Sequence, residues 1–432
     1  MLDFVKKLDA DGILVKIDRP VSVEYEMASI IKKLQDRPIL FTKPVLKSGE
    51  HSKYPVIANL CPTRQLLCKA LDIDEKNLLF KVSDAINNPS KPTIVKENYE
   101  EIDTDLSRLP ILTHFEKDGG PYMSASVVIA NDPKYGINCS FHRMMVIGKD
   151  KLAARILPRH FSQYIDRGLK EFAICIGMEP NVLLASAISV GAGQSELEIS
   201  NTLKMTKTVD INGHVVPCSD IVMIAELTGE THDEGPFVDL TETYDIVRKQ
   251  PVIKIKKIFI RKDAVYHTIL PSGLEHKILM GVPKEPVIFN EVNKVCRCKN
   301  VYITPGGCSW LHAVVAIKNT KADDGKQAIE AAFRGHKSLK HVIVVDEDIN
   351  IFDPNEIEWA IATRFQADKD LVIKKNERGS SLDPSADPKT RKTTKLGMDC
   401  TIPFDKDAQH FVKVKAPLED KISIRDYVEI ID

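Results

Sequence analysis

Between Thr113 and Glu285 the apolar residues come in short runs, and that punctuation constrains the fold more than any other feature of the chain. Residues 125–130, 144–147, 173–176 and 220–226 are apolar or alternating stretches of strand length, bounded by turn residues. Residues 252–260 alternate apolar side chains with Lys and continue past Lys262 into 264–270, which predicts a hairpin. One helix is predicted from Glu196 to Met205. Many short strands with inserted helices suit a β-barrel core.

The flanks read differently. Residues 1–112 predict an amphipathic helix at 1–8, an extended segment at 13–17, a helix around 24–34 and a strand at 39–41, with a boundary near Pro110. Residues 286–432 alternate again: strands at 301–303 and 313–318, helical periodicity at 325–335, a buried-type strand at 341–345 and a helix at 356–364. Residues 376–394, rich in Ser, Asp, Pro and Lys, predict a mobile loop. The expected fold class is α/β (α+β), in three units: 1–112, 113–285 and 286–432.

Charge excludes some functions. The 60 basic and 61 acidic residues give a net charge of −1, so no global field attracts nucleic acid or an anionic membrane. No apolar run approaches the roughly 18 residues of a membrane helix, and residues 1–16 lack the pattern of a signal peptide. The expected location is the cytoplasm. Nine cysteines, an odd number scattered over a large chain, read as reduced thiols rather than a disulfide framework.

Four acidic side chains, Glu230, Asp233, Glu234 and Asp239, surround the turn Gly235-Pro236-Phe237. On composition this is a solvated acidic loop. The apolar insert argues instead for partial burial, which is how a carboxyl group is kept protonated for acid–base work. Asn138-Cys139-Ser140-Phe141-His142-Arg143 leads into a strand, with an Arg suited to a carboxylate or phosphate or simply to the surface. Arg155-Ile156-Leu157-Pro158-Arg159-His160 is a basic cluster in apolar surroundings, and Ser195-Glu196 opens a helix, where Glu is favoured by the dipole. Asn138, His160 and Glu196 offer the oxygen and nitrogen donors that a hard divalent ion accepts, although their spacing does not show convergence. Asp346-Glu347-Asp348 reads as a solvated strand end, Pro305-Gly306-Gly307-Cys308 as a structural turn, and Gly191-Ala192-Gly193 is too short for a dinucleotide fingerprint.

Taken in order, these blocks resemble the UbiD family of prenylated-FMN-dependent decarboxylases. The likeness continues through Thr206-Lys207-Thr208, Gly307-Cys308-Ser309-Trp310, Ala362-Thr363-Arg364 and Lys395-Leu396-Gly397-Met398-Asp399. It implies a split-barrel flavin domain between an N-terminal α/β region and a C-terminal oligomerisation domain. It implies a divalent metal, usually manganese, on Asn138, His160 and Glu196, with a place left open for K+. Phe141, His142, Arg143, Arg155, Ile156, Leu157 and Lys395 match cofactor-holding positions, Lys395 reaching the cofactor phosphate. Arg143, Glu234 and Asp239 match the catalytic Arg-carboxylate-carboxylate network, with Asp239 as proton donor, Glu234 as its alternate and Arg143 orienting the substrate carboxylate.

The chain is compact for that family and similar to its archaeal-type members. Those convert trans-anhydromevalonate 5-phosphate to isopentenyl phosphate in a modified mevalonate pathway of isoprenoid synthesis. A phosphorylated enoic acid would need cationic contacts, for which His142, Arg159 and Lys204 are candidates. The resemblance also implies a homodimer or larger homo-oligomer, and a flavin prenyltransferase that supplies the cofactor. The competing readings are an aromatic acid decarboxylase acting on a 4-hydroxybenzoate derivative, a flavin-binding protein without catalysis, and a metal-dependent hydrolase.

Overall fold

The computed structural model describes residues 1–191, 193–414, 416–419 and 421–427. A nine-stranded sheet forms the centre. Its strand Glu171–Ile176 shows why it is buried on both sides. Phe172, Ile174 and Ile176 pack into one core, which includes Met144, Leu152, Ile253 and Ile255. Ala173 and Cys175 face a second core with the apolar stripes of helices Arg64–Leu71, Pro180–Ser186 and Glu196–Leu203. Side chains that alternate at period 2 therefore serve two cores from one strand.

The two longest strands, Ile221–Glu234 and Arg248–Ile260, pair antiparallel with bulges after Ile224 and Leu227, and their register ends with Glu234 opposite Arg248. This hairpin replaces the expected one. Arg248–Ile260 has Ile221–Glu234 on one side and Lys151–Ala154 and Glu100–Ile102 on the other, so no edge remains for residues 264–270. Tyr266–His267 instead pairs parallel with Val56–Ala58, in a four-stranded sheet of the N-terminal region. Among the described residues no helix is long and apolar enough to cross a membrane. All nine cysteines are free thiols.

The C-terminal part is a five-stranded sheet in the order Arg297–Ile303, His312–Lys318, His341–Asp346, Lys392–Cys400, Leu371–Arg378. Helices Glu285–Val292 and Asp324–Gly335 cover one face, and Pro354–Arg364 covers the other. Arg364, fully buried, forks onto Asp346 at 3.0 Å and Asp348 at 2.6 Å. That ion pair gives the acidic strand end a structural role. Arg64 Nη1 donates to both oxygens of Glu285 at 2.8 and 2.9 Å, tying the N-terminal region to the C-terminal helices through a buried ion pair.

The expected mobile loop is pinned. Strands Leu371–Arg378 and Lys392–Cys400 shorten it to residues 379–391. Asp383 accepts from Lys340 at 3.0 Å and from Thr393 at 3.2 Å, and Trp310 Nε1 donates to Ser380 Oγ at 3.2 Å. The Ser and Asp residues that suggested looseness are hydrogen-bonding turn formers. They hold Ser380, Ser381 and Leu382 against a cavity.

Candidate active site

That cavity, of about 590 Å³, lies where the central sheet, helix Leu274–Gly281 and the 380–382 segment meet. Its volume falls in the usual range for ligand sites. Arg143, in the short link between strands Gly136–Phe141 and Met144–Val146, organises one wall. Its Nε and Nη2 donate to the two Glu234 oxygens at 3.0 and 3.2 Å, Nη1 to Asp239 at 3.0 Å, and Nη2 to Asp245 at 2.9 Å. A guanidinium has five N–H groups, so these four bonds leave one for a substrate. Holding the carboxyl groups therefore takes up most of Arg143's donors. The Phe237 ring lies 4.7 Å from the guanidinium carbon, a cation–π contact beneath the fork.

The acidic stretch divides. Glu230 and Asp233 are exposed and pair with Lys151 and Lys249 at the surface. Glu234 is 0% exposed and also accepts from Tyr122 Oη at 3.1 Å. The Asp239 side chain is 20% exposed and faces the cavity. A tight turn fixes it: Asp239 N–H donates to Thr243 O, and Glu242 N–H to Asp239 O. Glu242 is itself held by Lys277 at 2.6 Å and Lys32 at 3.4 Å.

Two members of this wall, Asp245 and His276, belong to none of the motifs in the sequence. Asp245 bridges Arg143 and Arg248, which hold its carboxyl below the usual range against the opposing pull of burial. His276 lines the cavity, and burial pushes its imidazole pKa down, opposed by the nearby Asp239. Ser272 N–H donates to its Nδ1 at 3.1 Å, so the neutral ring carries its proton on Nε2.

Asn138, His160 and Glu196 line the same cavity. Glu196 is buried; it accepts from Asn138 Nδ2 at 2.9 Å and from the Cys139 N–H at 2.8 Å. Among the described residues no cationic side chain pairs with it, and burial raises its pKa to about 8. A buried carboxyl group lacking a cation, lining one cavity with an amide and an imidazole, fits a hard divalent ion, which would displace the carboxyl proton. Glu196 thus does more than cap its helix.

Of the expected cofactor positions, Phe141, His142, Arg143, Arg155 and Leu157 line the cavity. Ile156 and Lys395 do not. Ile156 packs partly into the core on one face of the central sheet, its N–H given to Gln250 at 2.9 Å. Lys395 sits on the C-terminal sheet with its ammonium on Lys337 O at 2.6 Å, because strand alternation turns it towards Phe333. Two expected phosphate contacts also fall away. Lys204 binds Asp72 at 2.7 Å, outside the cavity. His142 is buried, bonded to Arg155 O and Ser140 Oγ, and burial lowers its pKa to about 4, so it is neutral. Arg159 remains.

Behind this wall, Asp118 and His114 face each other at 3.9 Å, and both His114 nitrogens lack a hydrogen bond. Burial takes the His114 pKa to about 3. Between about pH 6.5, the unfolded value, and that folded value, unfolding takes up a proton, so this residue's contribution falls as pH falls. Asp118, raised to about 6 by burial, titrates in the opposite sense. It is present in both proteins of the following comparison. Urea unfolding of His114→Leu between pH 6 and 4 should show a stability loss on acidification smaller than wild type by about 1.4 kcal/mol per pH unit. Parallel pH profiles would contradict a buried neutral imidazole.

Three profiles of one family match in succession. They are the N-terminal domain of 3-octaprenyl-4-hydroxybenzoate carboxy-lyase over residues 5–86, its Rift-related domain over 87–274 and its C-terminal domain over 277–400. The chain is 44% identical over 418 residues to the anhydromevalonate phosphate decarboxylase of Methanothermobacter thermautotrophicus, covering 94% of this chain and 97% of the relative. The UbiD-class enzyme HmfF from Pelotomaculum thermopropionicum, solved with FMN, superposes with a TM-score of 0.93 at 35% identity over 99% of both chains. An evolved dimeric form of HmfF, solved with prFMN, gives a TM-score of 0.88 at 34% identity over 99% of both.

Proposed function

The chain belongs to the UbiD family, and from that premise we propose that it is a prenylated-FMN-dependent carboxy-lyase converting trans-anhydromevalonate 5-phosphate to isopentenyl phosphate and CO2. The observation that carries the chemistry is the Arg143–Glu234–Asp239 cluster, in which Arg143 and Asp239 line the cavity and Glu234 is buried behind them. Three carboxyl groups there meet two guanidinium groups, Arg143 and Arg248. Glu234 receives two N–H groups from Arg143, and Asp245 is bonded by both arginines, whereas Asp239 has one such bond and the most open side chain. Asp239 is the carboxyl group least tied to the arginines, and it faces the cavity.

Direct loss of CO2 from a 2-enoic acid leaves a poorly stabilised carbanion; prenylated FMN, when bound, supplies the electron sink for that charge. The protein's work is placement and proton supply. Phe141, Arg155 and Leu157 would hold the flavin, and Asn138, His160 and Glu196 a divalent ion, manganese in our reading, at its phosphate. The remaining N–H of Arg143 orients the substrate carboxylate. The bond from the carboxyl carbon to the adjacent alkene carbon breaks, CO2 departs, and Asp239 delivers its proton to the carbon left behind. Solvent then restores the proton to Asp239. The neutral His276 ring lines the same cavity close to Asp239.

We place the reaction in isoprenoid synthesis, with the cofactor supplied by a flavin prenyltransferase and the enzyme working as a homo-oligomer in the cytoplasm. A substrate panel on the prenylated-FMN-loaded enzyme tests the choice of acid. Expected is kcat/KM at least about 10²-fold higher for trans-anhydromevalonate 5-phosphate than for 4-hydroxybenzoate, 3,4-dihydroxybenzoate or the enoate without its phosphate, because polar groups built for a phosphate are left unpaired by the others. A preference for a hydroxybenzoate would overturn the substrate and keep the reaction class.

A further inference from the structure

The acidic wall has a counterpart in cations without acids. Lys284 is 8% exposed, yet among the described residues neither it nor Arg159 lies within 4 Å of a carboxylate. A buried ammonium without a counter-ion is costly and uncommon. Its Nζ donates to Ser189 Oγ at 3.3 Å and lies 5.6 Å from the centre of the Trp310 ring. Ser189, Trp310 and Arg159 all line the cavity. Burial, reinforced by the neighbouring Arg159 charge, lowers the Lys284 pKa to about 8. His336, edge-on to Trp310 at 4.4 Å and bonded to Trp310 O, is kept neutral by burial and by the same cations, so it adds no charge of its own.

The hydrogen bond from Lys284 fixes a direction. Ser189 Oγ accepts from the ammonium, which frees the hydroxyl proton to point into the cavity. Arg159, exposed to the cavity, adds a fork of N–H donors suited to two oxygens of a tetrahedral anion. Two uncompensated positive charges match a dianion, which a carboxylate cannot be. We propose that Arg159, Ser189 and the Lys284 behind it form a subsite for a phosphate monoester dianion.

Two phosphate monoesters meet this description, the substrate's 5-phosphate and the flavin's own phosphate. Arg159 adjoins His160, a residue of the metal set, so the flavin is a genuine competitor. The inference rests on the decarboxylase reading for both ligands. Two variants, Lys284→Met and Arg159→Gln, separate the sources. On Mn2+-loaded protein, FMN affinity is measured by fluorescence quenching; on prenylated-FMN-loaded enzyme, KM is measured for trans-anhydromevalonate 5-phosphate. A rise of tenfold or more in KM with FMN affinity unchanged assigns the subsite to the substrate. A tenfold or greater loss of FMN affinity assigns it to the cofactor. Arg159 is exposed, so its replacement leaves the core untouched should Lys284→Met fold poorly. If both variants fold and both constants stay within twofold of wild type, the subsite is refuted. A wild-type protein that binds FMN but turns over no enoate would sink the functional reading alone; the subsite would then stand on a tenfold loss of FMN affinity in the variants and be refuted by an FMN affinity within twofold of wild type.

Discussion

Asp239→Asn is expected to bind flavin with wild-type affinity and to lose about 10²–10⁴-fold in turnover, the usual share of a positioned general acid. Asn keeps the shape and the oxygen that accepts from Arg143 Nη1, so the wall should survive. What disappears is the transferable proton. Glu234→Gln provides the contrast. Glu234 is fully buried, away from the reactants, and its two oxygens receive Arg143 Nε, Nη2 and the Tyr122 hydroxyl. Its replacement should lower both activity and stability, because an amide NH2 would face the guanidinium. If Asp239→Asn keeps wild-type turnover, the proton comes from elsewhere and Glu234 becomes the first alternative.

Arg143→Ala is expected to be the most damaging single change in the cavity. It leaves Glu234, buried at 0% exposure, with only the Tyr122 hydroxyl, and frees Asp239 and Asp245 from their common partner. Breaking one side of a buried ion pair costs about 3–5 kcal/mol, against a total stability for most proteins of about 5–15 kcal/mol. Denaturant unfolding should therefore show a large drop in midpoint, and decarboxylation should be undetectable. Arg143→Lys should recover much of the stability but little activity, since one ammonium cannot reproduce the fork onto three acids. A variant at Arg143 with native stability would contradict the charge-cluster account.

The Arg143–Glu234–Asp239 cluster was legible because its members sit in compact, ordered blocks, at Asn138–Gly148 and Glu230–Asp239. Asp245 and His276 were not. Asp245 follows Glu-Thr-Tyr and looks like any turn acid, and His276 follows Glu275 on a helix like an ordinary polar residue. Only the pairing of Phe237–Val238 with Tyr244–Asp245 brings Asp245 to Arg143. Lys284, between prolines at 283 and 286, reads as solvated until the fold buries it behind Ser189.

Strand cores were also legible, and strand ends were not. Residues 220–226 mark the apolar part of Ile221–Glu234, but Glu230, Asp233 and their neighbours continue it in polar, exposed side chains. Their extended backbone comes from pairing with Arg248–Ile260 across a bulge, a long-range constraint that no local period carries. The same holds for Lys395. Its block carries the family likeness, but strand pairing with 341–346 and 371–378 fixes which way the side chain turns.

Headspace CO2 from the protein loaded with prenylated FMN, given trans-anhydromevalonate 5-phosphate in D2O, tests the central claim most directly. Expected are CO2 and isopentenyl phosphate in equal amounts, with one deuterium on the carbon that lost the carboxyl group and no reaction from protein loaded with FMN alone. Loaded protein that releases no CO2 from this acid, from any other 2-enoic acid or from a hydroxybenzoate would contradict it.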